Sequence, residues 1–177
     1  MKQFDIKKKK IKKDFGRIHE GIINSICMSH DDKFLFTSDE FGNLKQWSVP
    51  FHQLSKDWGQ ISENGILCIM TTKDGNSIVI GDTCGVLKLI DLKDLTVKKQ
   101  YLDNHKSGVS SMALSDDGKW LFSADLSGNV YQWDIHNLKF YKVILYSDQG
   151  YIHVGGIWMV NIAPDGRSLF TTDCKGF

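Results

Sequence analysis

Four stretches of this chain repeat one another at a nearly fixed spacing, and that spacing limits the possible folds more than any other feature. Gly42, Gly85, Gly128 and Gly176 are separated by 43, 43 and 48 residues. Asp39, Asp82, Asp125 and Asp173 follow the same series, as do Leu35, Ile78, Leu121 and Leu169. One period with a single five-residue insertion accounts for every anchor. Self-similarity at this period marks an array of small structural units stacked on their neighbours.

Within each unit the pattern is that of short strands. Residues 115–135 show it best: Asp117-Gly118 precedes Trp120, Leu121 and Phe122, Asp125 and Gly128 punctuate a turn, and Val130 to Trp133 follow. Apolar runs of four or five residues between Asp/Gly/Ser clusters predict strands, and Asp-Gly predicts a tight turn. The same reading predicts inner strands around Ile22, Ile23 and Ile26 and at residues 66–70, 109–114 and 158–162. Second strands fall at 34–37, 77–80, 120–122 and 168–171. Third strands fall at 44–49, 86–92 and 130–133, and outer strands at 52–58, 95–101 and 138–145. Residues 147–157 carry the insertion.

Residues 1–18 have the composition of a basic tail, but the repeat extends into them. Phe4 lies 43 residues before Trp47, and Phe4-Asp5-Ile6 matches Trp133-Asp134-Ile135. The chain therefore opens at the third strand of a unit, and lysines 7, 8, 9, 10, 12 and 13 fall where the fourth belongs. Two readings of that run stand side by side: an outer edge strand kept soluble by lysine, and a nuclear-import or polyanion-binding patch. The units are 1–18 (third and fourth strands), 19–61, 62–104, 105–152 and 153–177 (first and second strands), sixteen strands in all. Either the half-units pair, bringing residues 1–4 beside 168–171 to close a ring of four, or the chain is a piece of a larger ring. The start inside a strand favours the piece.

These rows resemble WD repeats. That family's pattern is Gly-His before the first strand, a Pro-Asp-Gly-type turn, a Ser-x-Asp-type turn, and Trp-Asp at the end of the third strand. Asn104-His105, residues 115–118, Ser123-Ala124-Asp125 and Trp133-Asp134 occupy those places. His19 and His153 match His105, with Ser62 in the second row; Trp47 matches Trp133, with Ile90 and Phe4 elsewhere. The resemblance implies an all-β β-propeller of four-stranded antiparallel blades around a channel. It also implies a hydrogen-bonded His, Ser/Thr, Asp and Trp in each well-matched blade. Aligned to that pattern, the turn-Asp position holds Phe41, Cys84, Ser127 and Lys175. The network is therefore expected to be incomplete in the first and third units and absent from the second, where Ile80 and Ile90 also intervene. Asp39, Asp82, Asp125 and Asp173, each with glycine three residues on, suit the first place of a type I turn rather than a catalytic acid.

Catalysis needs a nucleophile with a base, or paired carboxylates in a cleft. The histidines and aspartates recur with the repeat, which argues for structural roles, and no enzyme activity is expected. Cysteines 27, 68, 84 and 174 have neither zinc-ligand nor disulfide spacing, so no metal or cofactor is expected and the reduced thiols suit an intracellular chain. Trp47, Trp120, Trp133 and Trp158 are expected to fill space between sheets. No apolar run approaches the ~18 residues of a membrane span, and lysines without an apolar run do not make a signal peptide.

Net charge is +1, but residues 1–13 hold seven lysines against one aspartate, leaving the remaining 164 residues net −5. Bulk charge therefore names no partner. The family implies a non-catalytic scaffold that binds other proteins through the turns between second and third strands and the loops entering each first strand. The residues concerned are Glu40, Phe41, Thr83, Cys84, Lys106, Leu126, Ser127 and Tyr151. Phe41, Leu126 and Tyr151 are apolar on loop tips; the readings are partner contact, or, for Phe41 and Leu126, packing on the neighbouring blade. Self-association or the rest of a larger propeller are further partner expectations. The compartment expected is the cytoplasm, with the nucleus as the alternative raised by residues 7–13. The second function class is polyanion or nucleic-acid binding through those lysines.

Overall fold

A computed structural model describes residues 1–101, 105–135, 139–145, 153 and 155–176. Among these the secondary structure is all β. The first pair of strands, β1 (Lys2–Asp5) and β2 (Lys10–Asp14), forms a two-stranded sheet. Three four-stranded antiparallel sheets follow. The first holds β3 (Ile23–Met28), β4 (Phe34–Asp39), β5 (Asn43–Ser48) and β6 (Gln53–Gln60); the second holds β7 (Ile66–Thr71), β8 (Ser77–Asp82), β9 (Leu87–Asp91) and β10 (Val97–Tyr101). The third holds β11 (Val109–Leu114), β12 (Trp120–Asp125), β13 (Val130–Asp134) and β14 (Lys139–Leu145). A final pair, β15 (Ile157–Ile162) and β16 (Leu169–Asp173), again stands as a two-stranded sheet. The two half-sheets are separate, and no ladder joins β16 to β1 among the described residues.

Each full sheet is a meander, with neighbours in sequence paired in space. Alternation along the strands sends successive side chains to opposite faces, and the faces that meet between consecutive sheets form three apolar clusters. Phe36 and Leu44 of the first sheet meet Ile66, Ile69, Ile78, Ile80 and Ile90 of the second. Cys68, Val79, Leu87 and Leu89 of the second meet Val109, Met112, Leu121, Tyr131 and Trp133 of the third. Ala113, Ala124 and Val130 of the third meet Ile157 and Val160 of the last pair. The second sheet is covered on both faces, so every residue of β8 is buried.

The inner strand of each unit carries a register irregularity at the same place: between Ile23 and Ser25, Ile66 and Cys68, Val109 and Ser111, and Ile157 and Met159. A bulge re-aims the side chain of its extra residue. Here the residues so placed are Asn24, Leu67, Ser110 and Trp158, and in the full sheets they reach the following unit. Asn24 Nδ2 donates to the Ile66 carbonyl at 3.0 Å, and Ser110 Oγ donates to the Ile157 carbonyl. One residue on, Ser25 Oγ accepts Ile69 N–H at 3.2 Å and Ser111 Oγ accepts Val160 N–H at 3.1 Å.

Two expectations about tryptophan need correcting. Trp47 and Trp133 are buried between sheets, but Trp158 is exposed and Trp120 is only half-buried. Trp158 is the bulge residue of β15, on a face that no other sheet covers among the described residues. Trp120 stands instead against Tyr141, with ring centroids 4.6 Å apart. Some boundaries also move. Leu95 has φ 62° and its N–H donates to the Asp91 carbonyl at 2.9 Å, so it belongs to a turn and β10 begins at Val97.

Candidate functional site

The sharpest chemistry lies at one end of the sheets, where each second strand turns into its third. Asp39 Oδ1 accepts N–H groups of Phe41 (3.0 Å) and Asn43 (2.9 Å), which fixes the turn. Its Oδ2 accepts from His19 Nδ1 at 2.8 Å. With Nδ1 as donor, His19 Nε2 accepts the Thr37 hydroxyl at 2.7 Å, and Thr37 Oγ1 accepts Trp47 Nε1–H at 3.0 Å. The third sheet repeats this chain: His105 to Asp125 at 2.9 Å, His105 to Ser123 at 2.6 Å, Trp133 to Ser123 at 2.7 Å. In the last pair His153 meets Asp173 at 3.1 Å and Thr171 at 2.7 Å.

This overturns the expectation that the network is incomplete in the first and third units. Both are complete, because the turn-forming aspartate is itself the network aspartate. One oxygen closes the turn while the other points back to the imidazole, so Phe41 and Ser127 were never the acceptor positions. A constant spacing carried the signal: His19 to Asp39, His105 to Asp125 and His153 to Asp173 are each 20 residues apart. The second unit is also not empty. Ser62 Oγ and Asn64 Nδ2 donate to Asp82 Oδ2 at 3.3 and 3.2 Å, while buried Ile80 and Ile90 fill the other two places.

Ser123, His105 and Asp125 stand in the order of a nucleophilic triad, and their surroundings decide what they do. All three are buried. Ser123 Oγ already accepts from the Trp133 indole and the residue is fully buried, so its proton and lone pairs serve the interior. A nucleophile needs access and an approach line for the reacting atom. Burial alone would raise the Asp125 carboxyl, but hydrogen bonds from His105 and Asn129 outweigh it and hold the group below the usual range. Asp39 is likewise held low against burial, by Asn43, His19 and Phe41.

The turns held by these networks present the loop residues. Glu40, Phe41, Thr83, Cys84, Lys106, Leu126 and Ser127 are all exposed there. Tyr151 lies outside the described residues. The backbone of Glu40, Thr83 and Leu126 lies against Gly65, Gly108 and Gly156 of the following unit; a Cβ on Gly65 would meet the Glu40 carbonyl oxygen at 2.6 Å. Leu126 N–H donates to the Gly108 carbonyl at 3.0 Å, and Glu40 Oε1 accepts Ile22 N–H at 2.9 Å. The main chain of these tips is thus clamped while Phe41 and Leu126 remain 53% and 48% exposed. Gly42 and Gly85 make the clamp possible. Both have positive φ (82° and 86°), and a Cβ on Gly42 would run into the Ser62 carbonyl oxygen.

At the opposite end, the inner strands surround a cavity of about 560 Å³ lined by Met28, Met70, Thr71, Met112, Leu114 and Ile162. Lys73 and Asp116 at its rim are 3.5 Å apart. The cysteines are free thiols, and burial pushes the Cys68 thiol up. No group of three His, Cys, Asp or Glu side chains among the described residues is placed to hold a metal ion. The lysines of residues 7–13 occupy the turn and outer strand of the β1–β2 hairpin and are all exposed.

A family model described as "WD domain, G-beta repeat" matches residues 96–134. The match begins one residue before β10 and ends with β13, so it covers the Ser123–His105–Asp125 network and Trp133. No curated protein matches the chain.

Proposed function

We propose that this chain, whose residues 96–134 match a WD repeat and whose sheets repeat that unit in support of the WD-repeat propeller family, is a protein-interaction scaffold whose partner face is the end carrying Phe41 and Leu126. WD repeats generally mediate protein–protein interaction and are generally non-catalytic modules. One observation carries the assignment of the face. Two large apolar side chains stand exposed on tips whose backbone is pinned by Asp39, Asp125 and the adjoining glycines. A folding role does not account for them, since neither is buried by the neighbouring sheet. Exposed apolar groups on a rigid mount lose little conformational entropy on binding, which is what a contact residue needs. Glu40, Thr83 and Lys106 supply the polar rim. An intracellular setting, with its cysteines kept as thiols, is part of the same reading.

The test is proximity capture in cells with the wild-type chain and a Phe41→Ala/Leu126→Ala variant. Both substitutions are on exposed side chains, so the fold is expected to survive, as circular dichroism would report. The variant is expected to lose a defined subset of the captured proteins. An identical capture profile rejects the assignment of the face.

A further inference from the structure

Lysine on β2 guards an open edge, but edge protection gives no reason for lysine at 7, 8 and 9, which lie in the turn before that strand. The β1–β2 hairpin pairs Phe4 with Ile11 and Asp5 with Lys10, as β5 and β6 pair Trp47 with Leu54 and Ser48 with Gln53. Residues 6–9 are therefore the counterpart of residues 49–52, and Lys9 and His52 share a left-handed backbone at φ 50° and 52°. The hairpin is also seated like a full unit. Phe15 meets Trp47 and His52, with ring centroids 5.9 and 6.4 Å apart, as Trp58 joins Ile90 and Leu95 in the next apolar cluster. The turns 6–9 and 49–52 thus stand in neighbouring units at the same end, away from Phe41.

The two turns carry different chemistry. Lys7, Lys8 and Lys9 are exposed, and the two carboxylates of the hairpin are engaged elsewhere. Asp5 Oδ1 accepts Lys8 N–H at 2.8 Å, while Asp14 lies 3.8 Å from Lys2 and accepts Gly16 N–H at 2.9 Å. Among the described residues none of the three turn ammonium groups has a carboxylate partner. In the neighbouring turn Pro50 fixes the backbone before Phe51, whose ring is 74% exposed. Neither feature depends on what covers the inner edge of β1. The positions of Lys7 and Lys8 are held in the next two sheets by Pro50 and Phe51 and by Lys93 and Asp94, all exposed. Ile6 differs: its counterparts Val49, Leu92 and Ile135 are half-buried, each giving its N–H to a carbonyl just before the second strand, so Ile6 does not belong to the tip.

We propose that these two turns form a site for the surface of an anionic bilayer, with Lys7, Lys8 and Lys9 among the lipid headgroups and Phe51 inserted at the acyl boundary. Stable binding to such a surface takes two signals, here a polybasic cluster and an apolar group. Adjoining turns are convex, which suits a flat surface rather than a strand that needs a groove. The cations are all lysine, with no arginine before Arg17. Lysine is a point charge suited to a diffuse array of headgroups, whereas bidentate recognition of a phosphate backbone favours arginine. A nucleic-acid strand also calls for aromatic platforms interleaved with the cations, and residues 6–10 hold none. In this pose the Phe41 and Leu126 tips, at the other end of the sheets, point away from the bilayer and stay open to a protein.

The experiment is co-sedimentation of the 177-residue chain with vesicles of mixed phosphatidylcholine and phosphatidylserine, and with phosphatidylcholine alone, at physiological salt. The variants are Lys7→Gln/Lys8→Gln/Lys9→Gln, which spares the edge lysines 10 and 12, and Phe51→Ala. All four side chains are exposed, and thermal melts confirm folding. The wild type is expected to bind the mixed vesicles and not the neutral ones. Each lysine near an anionic surface is worth about fivefold in binding, so the triple variant is expected to lose on the order of a hundredfold. Phe51→Ala is expected to lose about tenfold on vesicles and nothing on single-stranded DNA. The Phe41→Ala/Leu126→Ala variant is expected to bind vesicles like the wild type. A wild type that stays off the mixed vesicles overturns the proposal. So does Phe51→Ala that binds vesicles as the wild type does, or single-stranded DNA that is bound more tightly than the vesicles through the same lysines; either outcome makes the turn a polyanion patch.

Discussion

The Asp125 carboxylate accepts a hydrogen bond from His105 Nδ1 at 2.9 Å while its other oxygen accepts the N–H groups of Ser127 and Asn129, each at 2.9 Å. One side chain thereby ties the entry of the inner strand to the turn two strands further on. The tie is repeated at Asp39 and Asp173. It braces the end of the sheet at which the second strand turns into the third.

Ser123→Ala would leave the Trp133 indole N–H and His105 Nε2 buried without their shared partner. An unsatisfied buried polar group costs about 1–3 kcal/mol, so a loss in that range is expected by denaturant titration. The second sheet shows the alternative, since Ile80 and Ile90 remove the whole polar pair instead of half of it. An Ser123→Ala variant as stable as wild type would mean that the hydroxyl link contributes nothing.

Acid should destabilise the fold through Asp39 and Asp125. Both carboxyls titrate below the usual range in the folded state, and the unfolded reference for Asp is about 3.9. A depressed folded pKa contributes stability that is fully present above the unfolded value and is lost as pH falls through the folded one. The melting temperature is therefore expected to hold from neutral pH to about pH 5 and then to fall. Asp125→Asn should melt lower at neutral pH and show a shallower acid slope; an unchanged slope would refute the assignment.

Asp32→Gly is expected to stabilise. Asp32 has φ 57° in the turn after β3, where the equivalent turns place Gly75, Gly118 and Gly166 at φ 70°, 71° and 66°. Asp31 holds that turn through its contact with Lys33 N–H at 3.2 Å, so residue 32 contributes only its backbone conformation. Relief of left-handed strain, less the entropy of glycine, should give about 0.5–1 kcal/mol. A lower melting midpoint for the variant would show that the Asp32 side chain does more.

Lys10→Val/Lys12→Val should promote aggregation. Among the described residues β2 pairs only with β1, and every residue in it is exposed. Lysine on such an edge discourages strand addition by other chains. Turbidity on warming, compared with a Lys10→Gln/Lys12→Gln control, reads the effect. Equal turbidity in the valine and glutamine variants would show that edge protection does not depend on these residues.

Much of this was legible in the chain itself. A period of 43 residues and clusters of Asp, Gly and Ser placed all sixteen strands. Phe4 against Trp47 showed that the basic N-terminal stretch belongs to a sheet. These signals are local: strand alternation and turn chemistry act over a few residues, and repetition multiplies them. The hydrogen-bonded networks are not legible in any single column of the repeat, because one aspartate serves two partners in different columns. The pairing of His19 with Asp39 needs two strands and a turn to bring residues 20 apart within 2.8 Å. The sequence by itself determined the elements and their order. Only the tertiary structure decided that one carboxylate serves both turn and imidazole, that Trp158 points off its sheet and that Ile26 and Phe170 stay uncovered. Whether a side chain is buried depends on which neighbour lies over its face, and no single strand carries that information.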